Sequence, residues 1–192
     1  MNVVNIIKYG KITNQHLYQK FLVLLEKLAL SDDSRKENYS LKSLDLENHL
    51  TFDLLTDNHN DSIICFSGLY NRPIWPKGVF RSSNRTFVNP EHRTKFYNFL
   101  NPQIIVPHQV TTHQHEIKLV FNSREHYKSE FYFKKAKEKV EFYKDWIIHP
   151  GMVHVVPISN KRSAYQKIMY KLFDGEVPFK TISIEEWKLL EE

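Results

Sequence analysis

The spacing of hydrophobic residues along the chain changes between a helical and an extended pattern. In residues 15–30, leucine and phenylalanine recur every three or four positions, which predicts an amphipathic helix. Short runs of β-branched and aromatic residues, bounded by turn residues, predict strands. The predicted strands are residues 3–7, 49–56, 62–71, 79–88, 116–123 and 152–158. The other predicted helices are residues 92–101, 124–140 and 161–173, and a last helix that begins at Ser183.

The order of these elements predicts the fold class. The turn cluster "DNHND", residues 57–61, joins two predicted strands into a hairpin, and polar residues inside 79–88 suggest a β-bulge. The chain begins with a strand and a helix, continues with a run of antiparallel strands, and ends with alternating helices and strands. This order is typical of an α+β (mixed α/β) fold. We therefore expect a central, mostly antiparallel sheet flanked by helices. No repeat or low-complexity linker divides the chain, so a single domain over residues 1–192 is expected.

Composition narrows the class of protein. Hydrophobic residues make up 41% of the chain and aromatic residues 14%, which is enough for a core rich in phenylalanine and tyrosine. The chain has only 5 glycines, and this argues against a glycine-rich phosphate loop. Cys65 is the single cysteine and is expected to be a buried hydrophobic residue. The longest apolar run, "FLVLL", is too short to span a bilayer and no secretory signal is visible, so a cytoplasmic protein without membrane contact is expected.

The segment "RTFVNPEHRTKFYNF", residues 85–99, predicts an anion site. It begins as a strand through Val88, and Pro90 ends the strand because proline has no N–H to donate. Arg93 and Lys95 then precede an aromatic-rich segment that favours a helix. A basic loop that opens a helix suits an anion, because the helix N-terminus carries free N–H donors and a partial positive charge.

The same segment resembles the GNAT fold, that of the Gcn5-related N-acyltransferases. In that family the fourth strand ends in an apolar pair, a further residue and a proline, before a basic loop that opens a helix. Phe87–Val88, Asn89, Pro90 and Arg93 are similar to this arrangement. The family's loop glycines fall on Phe96 and Asn98, so the chain departs from the family pattern at both positions.

A second resemblance lies further along the chain. The segment "LVFNSREHYKSEFYFKKA" is similar to the fifth strand and following helix of divergent GNAT-like proteins, many of them encoded by phages and marine microbes. The later pattern of Trp146, Val155, Pro157 and Tyr165 resembles the same proteins. Together the two resemblances cover about residues 62–173.

The resemblance implies an acetyl-CoA-dependent N-acyltransferase that acts on a small-molecule or peptide amine. The residues implied in binding coenzyme A are Phe87, Val88, Arg93, Thr94, Lys95, Phe96 and Asn122. Tyr132 and Tyr127 are candidates for the general acid, and Glu125 is the candidate for the base. A homodimer is left open.

Two other interpretations remain. The chain is either a catalyst or a degenerate acyltransferase that only binds a ligand. A small basic nucleic-acid-binding protein is a third hypothesis, suggested by the formal net charge of +5 and by "KKAKEK" at residues 134–139. Lysines along a helix are more often a solvated face, so nucleic acid is disfavoured as a partner. The "HQHE" segment, residues 113–116, supplies too few ligands to predict a metal site.

Overall fold

The computed structural model describes residues 1–31, 39–82, 87–92 and 101–192. They form two compact units: residues 1–72 with 82–113 make the first unit, and residues 73–81 with 114–192 make the second. The expectation of a single domain stays a prediction. In the described part of the chain, every helix is too short or too polar to cross a bilayer.

Eleven strands and five α-helices are described in these ranges. The strands are β1 Asn2–Lys8, β2 Lys11–Ile12, β3 His49–Thr56, β4 Ile63–Tyr70, β5 Val79–Ser82, β6 Phe87–Val88, β7 Leu119–Arg124, β8 Ile147–Ile148, β9 Met152–His154, β10 Tyr165–Leu172 and β11 Thr181–Ile182. The helices are α1 Gln15–Ser31, α2 Leu41–Leu44, α3 Val106–Thr112, α4 Glu130–Lys139 and α5 Ile184–Lys188.

The strands of the first unit are antiparallel and follow the order β4–β3–β1–β2, with β6 paired to β4. The predicted hairpin of β3 and β4 is confirmed, with Leu54 opposite Phe66. Helix α1 covers one face of this sheet, and a cluster that contains Leu55, Cys65 and Ile105 lies on the other. Because both faces are covered, every residue of β3 and β4 is buried.

The predicted first helix is confirmed, and its apolar face forms the core of the first unit. Leu17, Leu24 and Leu28 are buried along α1. The Phe21 ring lies 5.3 Å from that of Phe52 and 5.1 Å from that of Phe66, measured between centroids. Burial of each such side chain contributes about 1.5–3 kcal/mol, so this face fixes α1 on the sheet.

The second unit has the strand order β5–β7–β10–β9–β11, and β8 also pairs with β10. The pair β5–β7 is parallel, and the other pairings given for this unit are antiparallel. The rings of Trp75, Phe121 and Phe179 form an aromatic cluster with centroid distances of 5.2–5.9 Å. The Trp75 indole N–H donates to the Val155 carbonyl oxygen at 2.9 Å, so this buried polar group is satisfied.

The predicted helix over residues 161–173 is wrong. Arg162–Ala164 forms a single 3-10 turn, and Tyr165–Leu172 is strand β10. This strand lies between β7 and β9, and residues 165–169 are all buried. A strand covered on both faces shows no alternation, and periodicity alone does not separate such an apolar run from a buried helix.

Helix α4 is shorter than the predicted helix over residues 124–140 and turns a different face to the core. A 3-10 turn, Tyr127–Ser129, precedes it. The Phe131 side chain is 48% exposed, whereas that of Phe133 is 3% exposed, so Phe133 is the aromatic residue of this helix that faces the core. The aromatic residues of "EFYF" are adjacent in sequence, so the pattern is compatible with more than one rotation of the helix about its axis.

Most residues of the predicted helix 92–101 lie outside the described ranges. Its predicted end at Asn101–Pro102 is wrong, because a π-helical turn, Asn101–Ile105, leads directly into α3. Pro107 is tolerated because it lies in the first turn of α3, where a backbone N–H has no intrahelical partner.

Three predicted strands differ in length from the structure. The strand over 79–88 is described as β5 and β6, while residues 83–86, which include the predicted bulge, lie outside the described ranges. The strand predicted over 116–123 starts later, at Leu119, because Gln114–Glu116 forms a 3-10 turn. The strand predicted over 152–158 ends at His154.

The last helix begins at its N-cap Ser183, as predicted, and opens with a capping box. The Ser183 hydroxyl accepts a hydrogen bond from the Glu186 N–H at 3.1 Å, and the Glu186 carboxylate accepts one from the Ser183 N–H at 2.7 Å. The two bonds satisfy free donors at the start of α5. They set the orientation of Trp187, which lies one residue further along this helix.

Candidate functional site

The cofactor-binding residues predicted from the sequence begin on β6. Phe87 and Val88 pair with β4, and the Asn89 side chain then donates to the Ile63 carbonyl oxygen at 2.9 Å. Pro90–His92 follows as a 3-10 turn, so the chain leaves the strand at the predicted proline. Arg93, Thr94, Lys95 and Phe96 lie outside the described residues, and their assignment to an anion loop stays a prediction.

A cavity of about 360 Å³ in the first unit borders this turn. Lys20 and Lys27 line it from α1, and Asp61 and Glu91 line it from the opposite wall. The formal charges of these four side chains cancel. The described part of the wall therefore gives no preference for an anion, and it forms no phosphate site without the loop that follows.

Strand β7 carries Asn122, the last of the predicted cofactor-binding residues. The described parallel pairing with β5 ends at Arg81 and Phe121, whereas β7 continues to Arg124. Asn122 is half-buried and shares one face of β7 with Arg124, because alternate residues of a strand point to the same side. This end of β7 therefore presents polar side chains beyond the parallel pair.

Ser123 is a polar residue of this strand end that the sequence analysis missed. Its side chain is 7% exposed, and its hydroxyl has no hydrogen-bond partner among the described residues. A buried hydroxyl without a partner loses free energy relative to water, so Ser123 is a candidate for contact with a ligand. The only sequence signal was a small polar residue in the otherwise apolar run "LVFNS".

Tyr132 lies next to the same strand end. The Tyr132 side chain is 50% exposed, and the Arg124 guanidinium carbon lies 4.4 Å from its ring centroid. The contact is a cation–π interaction that holds the ring against β7. Asn122 and Arg124 thus share one face of β7, and Tyr132 contacts Arg124.

Glu125 and Tyr127 lie apart from this arrangement, at a cavity of about 470 Å³ in the second unit. Glu125 is exposed, and Tyr127 is half-buried. The His126 ring stacks on Tyr127 with a centroid distance of 4.5 Å, and its edge faces Trp187 at 5.3 Å. Two of the three predicted catalytic residues therefore share one cavity, and Tyr132 does not line it.

Arg162 is the residue that closes this cavity, and sequence reasoning missed it. Its guanidinium Nη2 donates to the carbonyl oxygens of Lys188 and Leu190, and Nη1 binds a carboxylate oxygen of Glu192 at 2.7 Å. The same guanidinium lies 5.3 Å from the Trp187 ring centroid. A planar fork with five donors suits this set of acceptors better than an ammonium does.

A buried ammonium lies beneath α4. Lys167 of β10 is 0% exposed, and its Nζ contacts a Glu130 carboxylate oxygen and the Pro150 carbonyl oxygen, each at 2.9 Å. Hydrogen bonds from Lys134 and then Lys167 lower the pKa of the Glu130 carboxyl. Glu130 therefore stays ionised over the neutral range and compensates the buried charge.

His49 is a buried histidine at the start of β3. Burial lowers the pKa of its imidazole to about 4, although Nδ1 lies 3.0 Å from the Asp45 carbonyl oxygen. Nδ1 thus donates, and Nε2 has no partner among the described residues. A Cβ built on Gly68 would lie 2.3 Å from the ring, so no space for a substrate remains there.

Asp53 carries a buried carboxylate in the first unit. Its oxygens accept hydrogen bonds from the side chains of Asn5 at 3.1 Å, Thr51 at 2.8 Å and Gln109 at 2.6 Å. All three donors are neutral, and Gln109 belongs to α3. The carboxylate is satisfied within the fold, and its role is to attach α3 to β3.

Comparison with protein-family models and with curated proteins gave no match. Among solved structures, aminoglycoside 6'-acetyltransferase type Ii aligns with a TM-score of 0.52 at 12% identity, covering 92% of this chain and 100% of that one. An acetyltransferase assigned to the GNAT family from Desulfovibrio desulfuricans aligns at 0.49 and 9%, covering 89% and 98%. A spermidine N-acetyltransferase chimera from Vibrio cholerae and hSSAT aligns at 0.48 and 12%, covering 90% and 96%.

At these identities the likeness concerns the fold and not the substrate. The alignment with the aminoglycoside 6'-acetyltransferase covers that structure along its whole length. The described elements have the expected composition, a mostly antiparallel set of strands flanked by helices. The chain therefore has a divergent GNAT-like fold of the mixed α/β class.

Proposed function

We propose that this protein is a coenzyme A-dependent N-acyltransferase that transfers an acetyl group to a small-molecule or peptide amine. The proposal rests on the GNAT-like fold and on one observation in the second unit. Tyr132 is held by Arg124 at the place where β7 runs past its described pairing with β5. We place an elongated acyl carrier along this end of β7 and assign the Tyr132 hydroxyl as its proton donor.

The residues at this strand end fit such a carrier. Coenzyme A contains two amide groups, and Ser123 offers a buried hydroxyl without a partner among the described residues. Asn122 adds a half-buried amide on the opposite face of β7. We assign Phe87 and Val88 to backbone contacts with the carrier.

Arg93, Thr94, Lys95 and Phe96 are the residues that we assign to the pyrophosphate. Two of them are cations, and the segment follows the Pro90–His92 turn directly. Charge-assisted hydrogen bonds to phosphate oxygens are about twice as strong as neutral ones. Phe96 stands where the GNAT pattern has glycine, so the backbone there approaches a phosphate less closely.

The bound acetyl-CoA would supply an activated acyl group as a thioester. The amine must lose a proton before it attacks, and the departing sulfur must gain one. We assign the second transfer to the Tyr132 hydroxyl. Glu125 and Tyr127 line a separate cavity, so their use as base or acid requires an acceptor that reaches it.

Calorimetric titration of coenzyme A and an acyl-transfer assay that detects the released thiol test the proposal together. Arg93→Ala should weaken coenzyme A binding about ten- to a hundred-fold, the loss of a charge-assisted contact of roughly 1.5–3 kcal/mol. Tyr132→Phe should keep the affinity for coenzyme A and lower kcat about a hundred-fold or more. Tyr9→Phe, at a tyrosine that is 57% exposed in the first unit, is the matched control.

The outcomes separate the hypotheses. Equal coenzyme A affinity in wild type and Arg93→Ala removes Arg93 from the site. Wild-type kcat in Tyr132→Phe removes the tyrosine from proton transfer. No binding of coenzyme A by the wild type at millimolar concentration rejects the cofactor, and binding without turnover over a panel of amines favours a degenerate, ligand-binding protein.

A further inference from the structure

The cavity of about 470 Å³ in the second unit has an aromatic wall. Trp187, which is 5% exposed, lies edge-on to His126 and to Tyr127, with centroid distances of 5.3 and 5.8 Å and interplanar angles of 87° and 71°. His126 and Tyr127 stack on each other. His126 is exposed and Tyr127 is half-buried, so these two rings, backed by Trp187, form a rigid apolar surface that suits a hydrocarbon or aromatic group.

Two charged side chains at this cavity have no described ion-pair partner. Glu125 is exposed, and no ion pair within the described part of the chain includes it. Lys188 likewise forms no described ion pair, and its Nζ lies 5.0 Å from the Tyr127 ring centroid. A carboxylate and an ammonium, neither of them in an ion pair among the described residues, thus line the same cavity.

A second cation at the cavity has only a weakly held partner. Arg162 binds the Glu192 carboxylate, but the Glu192 side chain is 77% exposed. An exposed ion pair contributes little to stability, so a ligand carboxylate can replace Glu192 at the guanidinium. The carbonyl contacts of Nη2 hold the guanidinium in place whether or not Glu192 is bound.

We propose that this cavity binds a free α-amino acid with an aromatic or large apolar side chain, in its zwitterionic form. The ligand's carboxylate pairs with Lys188 and Arg162, its ammonium pairs with Glu125, and its side chain packs on His126 and Tyr127. The cavity volume falls within the range of about 300–1,000 Å³ of small-molecule sites. This inference goes beyond acyl transfer and requires neither coenzyme A nor turnover.

The charge pattern selects a zwitterion over other ligands. A simple anion would leave Glu125 beside it without a counter-charge, and a simple amine would face two cations. A peptide terminus offers only one of the two charges. A ligand with both charges on one carbon pairs with Glu125 and Lys188 together.

The experiment is a calorimetric titration of L-phenylalanine into the full chain, without coenzyme A. L-Phenylalaninamide lacks the carboxylate and N-acetyl-L-phenylalanine lacks the ammonium, and each should bind at least ten-fold more weakly than the parent amino acid. L-Aspartate, which has no apolar side chain, should not bind measurably. Lys188→Met should weaken binding of L-phenylalanine ten-fold or more without changing the affinity for the amide.

Glu125→Gln should weaken binding of L-phenylalanine similarly without changing the affinity for the N-acetyl compound. Lys180→Met and Glu176→Gln, at exposed positions in the same unit, are the matched controls and should bind as the wild type does. Failure of L-phenylalanine to bind at millimolar concentration overturns the proposal. Equal affinity for the amino acid and either analogue overturns the assignment of the corresponding charge, and so does unchanged binding in both cavity variants.

Because no step of this test uses coenzyme A, its failure is distinguishable from failure of the proposed acyltransferase. A chain that binds coenzyme A but no amino acid keeps the first proposal and loses the second. A chain that binds the amino acid alone keeps the cavity and loses the cofactor.

Discussion

The ion pair between Glu130 and the buried Lys167 provides the sharpest test of the packing of α4. Glu130→Gln keeps the shape of the side chain and an oxygen that accepts a hydrogen bond. It removes the negative charge that compensates an ammonium with 0% exposure. The ammonium must then stay charged without a counter-ion, lose its proton, or move towards water, and each of these alternatives costs free energy.

The expected cost follows from the geometry. Removing one partner of a buried pair costs about 3–5 kcal/mol. The lower end of this range applies here, because Glu130 is 31% exposed and also contacts Lys134. In addition, glutamine keeps one oxygen that accepts a hydrogen bond from Lys167. We expect Glu130→Gln to lower the free energy of unfolding by about 3 kcal/mol. With a urea m-value of about 2 kcal/mol/M, the unfolding midpoint should fall by about 1.5 M.

Lys167→Met and the double variant separate the charge effect from loss of packing. Replacing the buried ammonium by an apolar chain of similar length removes the need for compensation, at the cost of one hydrogen bond to Pro150 of about 1 kcal/mol. The double variant should therefore be about as stable as Lys167→Met alone. Lys134→Met, at a side chain that is 63% exposed, is the control and should change stability by less than about 1 kcal/mol.

The pH dependence has a defined sign. The pKa of Glu130 is lowered in the folded chain, so its contribution to stability is complete above the ordinary carboxyl pKa of about 4.3 and is lost as the pH falls through the folded value. The difference between wild type and Glu130→Gln should shrink in acid. Urea unfolding followed by fluorescence at several pH values measures it. Full additivity of the two single variants, or a constant difference down to low pH, would refute the reasoning.

Two further predictions concern the first unit. Cys65 has 0% exposure, and burial raises the pKa of its thiol to about 12. A thiol reagent should therefore label the native chain about 1,000-fold more slowly than the urea-unfolded chain. Equal labelling rates would contradict the burial of Cys65. Gly68→Ala should destabilise the chain by about 1–3 kcal/mol, because a Cβ there would lie 2.3 Å from the His49 ring and 2.8 Å from that of Phe52. An unchanged melting temperature would show that this packing is incorrect.

The sequence by itself determined the elements that a local pattern of residues predicts. Helix α1 buries one stripe of residues, and its hydrophobic residues recur with the helical period of 3.6. Strands β3 and β4 are extended apolar runs joined by a polar turn. Both patterns are visible in the sequence without tertiary information. The capping box at Ser183 was equally local, because its two hydrogen bonds link residues three apart. The fold class followed from the order of these elements.

Tertiary structure decided which apolar runs became strands. The run over residues 165–169 is buried completely because β10 lies between two other strands. That position is set in part by pairing with β7, whose residues lie 43 to 53 positions earlier in the sequence. It also decided that Phe133 and not Phe131 faces the core, since adjacent aromatic residues fit more than one helical phase.

In the candidate site, too, some residues could be identified from the sequence and others only from the tertiary structure. Glu125 and Tyr127 were recognised from their place after a strand, but the residues that complete their cavity, Arg162, Trp187 and Lys188, come from segments 35 or more positions later. Their side chains meet because α5 is anchored by its cap and by the carbonyl contacts of Arg162. The sequence determines which chemical groups the chain carries. Long-range packing decides which of these groups share one cavity, because contacts between distant segments depend on the whole fold and not on local spacing.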